Sequence, residues 1–173
     1  LTAERPTLLP PLVDQLMEVR YDQTAHVAPS AHLVAWSRLG ASYQREELTR
    51  ALETDRELFE WAHAIIAIEL LPVKLAAAQA FPPWDDAREW LEVNEGFQAD
   101  VLDRLRAEGP LLAKQIPDTS QVSWSSSGWS NDRNVIKMIE LLHAQGKVAV
   151  SRRAGRQRVW DLAERVYPSD LPE

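Results

Sequence analysis

Hydrophobic positions recur at three- and four-residue intervals over much of the chain. Leu12, Val13, Leu16 and Met17 share one helical face, after which the β-prone run VRYD reads as a short strand, and the segment stops at Pro29. Pro29 and Ser30 open the next helix, SAHLVAWSRL, with an apolar stripe of Leu33, Val34 and Trp36 and a stop at Gly40. QREELTRALETDRELFEWAHAIIAIELLPVKLAAAQAF predicts one or two further helices, divided near Thr54 or Pro72 and ended by Pro82 and Pro83. Apart from the one strand, this half reads as all helical.

Beyond the proline pair, Asp85 is placed to cap a helical stretch that runs through WLEVNEGFQADVLDRLRAE to Gly109-Pro110. Phe97, Val101, Leu102 and Leu105 mark one of its faces, and GPLLAKQIP reads as a short second helix. NDRNVIKMIELLHAQG gives a third, capped by Ser130 or Asn131, with Val135, Ile139 and Leu142 at helical spacing and Gly146 beyond its end. KVAVS and RVWDL then form a hairpin closed by Arg153-Ala154-Gly155-Arg156, where Gly155 supplies the positive φ of a tight turn. Three helices followed by a hairpin are the order of a winged helix-turn-helix. The expected fold is therefore mainly α with a little β: residues 1–82 a helical region with one short strand, 83–168 a winged-helix domain, and 169–173 a tail. No internal repeat is visible, and the Ser-rich stretch SQVSWSSSGWSND reads as a loop.

Composition narrows the chemistry. A chain of 173 residues, 45% hydrophobic, has enough apolar surface for one sizeable core or two small ones. With no cysteine there is no disulfide framework and no thiolate chemistry, and His26, His32, His63 and His143 lack metal-ligand spacing. Neither a metal nor a cofactor is expected. The most apolar stretch, AHAIIAIELLPVKLAAAQAF, is interrupted by Glu69, Pro72 and Lys74, too broken for a membrane span, so a cytoplasmic protein is expected. The chain opens on Leu1 without a signal core and reads as a piece of something longer.

Charge is unevenly placed. The formal net charge is -7, yet residues 147 to 165 hold Lys147, Arg152, Arg153, Arg156, Arg158 and Arg165 against Asp161 and Glu164. If Gly155 tips the hairpin, Arg152, Arg153, Arg156 and Arg158 lie near its end, within reach of phosphates or a minor groove. Local placement rather than total charge governs such contacts, so double-stranded DNA is the expected partner. Exposed arginines also protect hairpin edges and keep them soluble. Arg133 and Lys137 share the outer face of the third helix, where DNA readout and plain solvation both fit. Trp124 and Trp129 read as anchors of the Ser-rich loop. The acidic stretch 85 to 108 is expected to face away from DNA.

Several phrases resemble the AlkZ-like, or YcaQ-like, winged-helix DNA glycosylases and their winged-helix DNA-binding relatives. They are VRYDQTAHVAPSAHLVAWSRLG, DRELFEWAHAIIAIELLP, GPLLAKQIP, GWSNDRNVIKMIELLHAQGKVAV and RRAGRQRVWDLAERVYP. The resemblance implies tandem winged helices around a DNA channel, and a catalytic strand motif of Gln, an apolar residue, then Gln or Asp. That motif falls on Arg20-Tyr21-Asp22, with Arg20 in place of the first Gln. Side chains alternate along a strand, so Arg20 and Asp22 share a face. Asp22 is the candidate catalytic carboxylate, stabilising an oxocarbenium-like transition state or orienting water. Arg20 is expected to pair with it and lower its basicity. His63 is expected as a hydrogen-bonded residue on an apolar helix face, and Arg38 as a helix-end cation. Nothing in their spacing forces His26 and His32 toward Asp22. Three functions are left in view: excision of alkylated bases, noncatalytic DNA binding or regulation, and a winged-helix surface for another protein.

Overall fold

The computed structural model describes residues 6–24, 27–82, 84–125 and 133–169. It is mainly helical, with two small antiparallel sheets. Contacts divide the chain into two compact units, residues 1–71 and 72–171.

The first unit opens with α1 (Leu9–Leu16), which carries prolines in its first turn, where amide hydrogens have no helical partner. β1 (Val19–Arg20) follows, then α2 (Ser30–Leu39) and α3 (Arg45–Glu53). The Glu47 carboxylate accepts the Gln44 N–H at 3.1 Å and so caps the start of α3. β2 (Leu58–Trp61) and β3 (Ala64–Ala67) close the unit as a hairpin on the two-residue turn Ala62-His63. The sheet order is β1-β3-β2, with Val19 opposite Ile65 and Arg20 opposite Ala64. Val13, Val19, Leu48, Leu58 and Ile65 form its core.

Two expectations fail here. Residues 58 to 67 are not helical but form β2 and β3. A short, mostly apolar run interrupted only by Glu60 and His63 carries no clear periodicity to separate helix from strand, and its flanking helix formers point the wrong way. On α2, the buried positions are Ala31 and Ala35, while Leu33 and Trp36 are 44% and 63% exposed. Small alanines let the helix backbone approach the sheet closely, and the larger residues turn outward.

In the second unit come α4 (Leu71–Ala78), α5 (Asp85–Val93), α6 (Glu95–Glu108), β4 (Leu111–Leu112), α7 (Asn134–Ala144), β5 (Val148–Ala154), β6 (Gln157–Leu162) and α8 (Ala163–Val166). The single helix expected after the proline pair is broken at Asn94, which is fully buried. Its Oδ1 accepts Gln121 N–H at 2.8 Å and its Nδ2 donates to Trp90 O at 2.9 Å and Val122 O at 3.1 Å. Asp85 is the first residue of α5, and Trp84 holds the cap position. GPLLAKQIP forms β4 and a single 3-10 turn, Ala113–Gln115, rather than a helix. The caps expected at Ser130 or Asn131 lie outside the described residues, and α7 has Arg133 at its cap position. Phe97, Val101 and Leu105 of α6 pack with Met138, Ile139 and Leu142 of α7 in one core, beneath Trp160 and Leu162.

The two units repeat one plan that the sequence hides. Each runs helix, short strand, helix or 3-10 turn, helix, hairpin, and in each the short strand joins the last strand at the sheet edge, giving β1-β3-β2 and β4-β6-β5. Both hairpins turn on two residues whose first has positive φ, Ala62 at 54° and Gly155 at 62°.

Gly146, between α7 and β5, has φ +73, and a Cβ there would come within 2.8 Å of the Leu75 side chain. Gly146→Ala is therefore expected to lower the unfolding free energy by about 1–3 kcal/mol. Gly155→Ala has no neighbour within 4 Å of the new Cβ and should cost less. Urea denaturation of both variants checks this order.

Candidate functional site

Arg20, Tyr21 and Asp22 leave β1 with alternating exposure: Arg20 is open, Tyr21 is buried and Asp22 half-buried. Three chain segments hold them. Tyr21 N–H donates to His63 O at 2.7 Å, and Ser30 N–H donates to Asp22 O at 3.1 Å. The Ser30 hydroxyl accepts Asp22 N–H at 2.8 Å and donates to Arg20 O at 2.6 Å. Every backbone polar group named here is hydrogen-bonded, so the side-chain directions are set by the main chain.

The Asp22 carboxylate is held from within its own turn. Its Oδ1 accepts Thr24 N–H at 2.9 Å and the Thr24 hydroxyl at 2.6 Å, an Asx turn with an added side-chain bond. The expected ion pair with Arg20 is not formed among the described residues. Bonds to the charged form favour it: Thr24's hydroxyl and amide hold Asp22 below the ordinary aspartate value, and the charges of Arg20 and His63 add to this. His63 is exposed in the β2–β3 turn, not on a helix face as expected. Sequence reading missed Thr24 and Ser30, although Asp-x-Thr is a recognisable turn pattern.

Tyr21 leads to a second polar pair. His32 Nδ1 and the Tyr43 hydroxyl lie 2.7 Å apart, and His32 also meets the edge of Tyr21. Burial, with the charge of Arg45, lowers His32, while burial pushes Tyr43 up to about 12. His26 lies outside the described residues, and Arg38 stands in the last turn of α2.

The other candidates fall in the second unit. Arg152 and Arg153 sit on β5, Arg156 in the turn and Arg158 on β6, with Arg153 opposite Arg158 in register. Arg152 and Arg156 are exposed. Arg153 donates to Arg156 O at 2.9 Å, and Arg158 lies over Trp160, 5.6 Å from the ring centre. Arg165 belongs to the base instead. It donates to Leu105 O and Arg106 O at the end of α6 and meets buried Asp161 at 3.4 Å. At the cap of α7, Arg133 is exposed, whereas within the helix the Lys137 ammonium stands 4.0 Å from the centre of the Trp124 ring. Trp124 packs edge-on against Trp90, and its backbone N–H donates to buried Asn134 Oδ1 at 2.7 Å. Trp129 lies outside the described residues.

The family model described as DNA glycosylase AlkZ-like matches residues 13–173. The chain belongs to the AlkZ-like family. The match spans both units, so it includes the Asp22 turn and the basic hairpin alike, and at family level it carries a glycosylase-like function in DNA repair. No solved structure matches this AlkZ-like chain. Among its described residues, no group of three or more His, Cys, Asp or Glu side chains is arranged to hold a metal ion, and no helix is long and apolar enough to cross a membrane.

Removing the turn bonds should move the carboxyl. In Thr24→Ala the Asp22 pKa is expected to rise toward the ordinary 3.8, read from an NMR titration of its carboxyl carbon. The sign follows from linkage: a depressed carboxyl pKa favours the fold above the unfolded value, and this is lost as pH falls through the folded one. The variant should accordingly lose less stability than the parent on acidification.

Proposed function

We propose that this chain is a DNA-binding protein built from winged-helix units, which hydrolyses the N-glycosidic bond of alkylated bases at Asp22. What supports the reading is the Asp22 carboxylate, which accepts two hydrogen bonds from Thr24 and falls where the resemblance of the sequence puts the catalytic motif, in a chain that the family model matches over residues 13–173.

As the bond from C1′ to the base breaks, its electron pair leaves with the base and neutralises the positive charge that alkylation put there. The sugar becomes oxocarbenium-like until a water oxygen bonds to C1′ and the water gives up a proton to solvent. A carboxylate that stays charged but is weakly basic suits electrostatic support and water orientation better than proton abstraction. Solvent matters to its strength. Attraction between opposite charges scales inversely with the effective dielectric, which falls about fourfold from bulk water to a protein surface shielded from it. Covering the site with DNA therefore strengthens the pull of Asp22 on the forming cation just when the bond breaks.

In the second unit, α7 with Arg133 and Lys137, and the hairpin with Arg152, Arg153, Arg156 and Arg158, form the proposed DNA-contacting surface. Exposed Arg152 and Arg156 are the phosphate contacts, whereas Lys137 serves partly to fasten Trp124. Arg20 favours a second reading, a noncatalytic DNA-binding module, because its charge opposes a cation forming beside Asp22.

The test is release of free N-alkylated base from damaged duplex. The parent is expected to release base and Asp22→Asn to lose about a hundredfold or more in rate. Equal rates for the two, or none from either, would end the catalytic reading. DNA affinity should fall steeply with salt, and Arg152→Ala with Arg156→Ala should flatten the log–log slope by about 0.9 for each phosphate no longer neutralised. A slope near zero in the parent would instead indicate a protein-binding surface.

A further inference from the structure

Residues 23–45 contain no Asp or Glu, the longest such stretch in a chain that has 26 of them. The next longest, 141–160, is the one that holds the cationic hairpin. Within 23–45 lies α2, whose outer surface is apolar: Leu33 and Trp36 are exposed, and the one charged side chain of the helix is the exposed Arg38 of its last turn. Residues three apart are neighbours on a helical surface, with Cβ atoms about 5–6 Å apart, so Ser30, Leu33 and Trp36 form one row. That row begins at the motif. The Ser30 hydroxyl bonds to Asp22 N–H and Arg20 O at 2.8 and 2.6 Å, and the helical rise sets Trp36 about 9 Å further along the axis.

Trp36 adds little to the core, which α2 enters through Ala31 and Ala35. The row is also too small for a protein partner. A tryptophan buries about 150–250 Å², and with one leucine beside it the row falls far short of the roughly 800 Å² per partner of a stable protein interface. It matches a single nucleobase, whose flat face an indole covers by stacking. The lack of acids along 23–45 suits the same occupant, because phosphates flank every base and carboxylates beside them would repel.

We propose that Trp36 reads the lesion: its ring stacks on the alkylated base while the sugar of that nucleotide meets Asp22, and Leu33 fills the space between ring and motif. This rests on the reading of alkylated DNA as the substrate. A base must leave the duplex stack to be covered in this way. Alkylation at a ring nitrogen makes a purine cationic, and among aromatic side chains the indole face attracts a cation best. The charge that makes the base a good leaving group thus makes it the preferred ligand. Once the bond breaks and the base is neutral, that preference is gone, so the freed base is held less tightly than the damaged nucleotide.

The experiment is binding of the full chain to three duplexes that differ at one position. The first carries guanine. The second carries 7-methylguanine on a 2′-fluoro sugar, which resists cleavage because the fluorine destabilises the oxocarbenium. The third carries 7-methyl-7-deazaguanine on the same sugar, which keeps the shape of the lesion without its charge. The parent should bind the charged lesion about fivefold more tightly than its neutral isostere. Trp36→Ala should erase that preference and Trp36→Phe keep part of it, with the salt slope unchanged in both, because no phosphate contact is lost. Matching thermal midpoints check that the variants fold. A parent without the preference, or a preference that survives in Trp36→Ala, would overturn the proposal. So would an equal loss on all three duplexes, which would make the ring a general contact, or a loss of self-association with DNA binding intact, which would put a second copy on the row. Base release separates this from the catalytic reading. If Asp22→Asn abolishes release from a cleavable 7-methylguanine duplex while Trp36→Ala keeps the preference, only the proposal for Trp36 fails. If the parent releases no base yet prefers the charged lesion through Trp36, that proposal stands and catalysis falls.

Discussion

A single hydroxyl settles the geometry of the candidate site. Ser30 Oγ receives the Asp22 amide and donates to the Arg20 carbonyl, pinning two alternate residues of one extended segment to the start of a helix. With the backbone fixed on both sides of Tyr21, that ring is committed to the core, and its neighbours are committed to solvent. The carboxylate then needs only a local partner, which Thr24 supplies. Without the Ser30 hydroxyl the Asp22 N–H and the Arg20 carbonyl, just past the end of β1, would be left seeking water, and the alternation that gives Arg20 and Asp22 a common side would have no anchor.

The repeated plan of the units places different chemistry on equivalent elements. Where β1 runs into Asp22, β4 is Leu111–Leu112, whose apolar side chains belong to packing. Where β2 and β3 are short and mostly buried, β5 and β6 are longer and carry arginines. One unit has the candidate carboxylate and the other the cationic hairpin, and neither could exchange roles by altering one residue. This accounts for a basic patch inside a chain with a net charge of -7, because the surplus acids sit elsewhere, several of them tied to arginines within α5 and α6.

Local signals made much of the second unit legible. Gly109 and Gly146 end helices where expected, the apolar face of α6 is where its spacing puts it, and the 148 to 162 hairpin follows from alternation around Gly155. What escaped depends on distant partners. Asn94 and Asn134 look unremarkable in sequence, yet each collects bonds from residues ten or more positions away. The 58 to 67 hairpin escaped because consecutive residues in each strand are buried, Leu58 to Glu60 and Ile65 to Ala67, which leaves no alternation to read. Leu33 and Trp36 point outward because alanines, not bulk, decide how closely α2 approaches its sheet. At the candidate site, the face shared by Arg20 and Asp22 was readable, but what Asp22 bonds to was not: an arginine two residues away is the obvious partner by charge, and a threonine equally near wins by turn geometry.

The clamp of Arg165 on the end of α6 has a mechanical meaning. By holding Leu105 and Arg106 carbonyls together with Asp161 of β6, it welds the root of the hairpin to the longest helix of its unit. A lever attached so firmly does not have to be stiffened when it touches a charged polymer, and the entropy that a loose arm would surrender on contact has already been given up in folding.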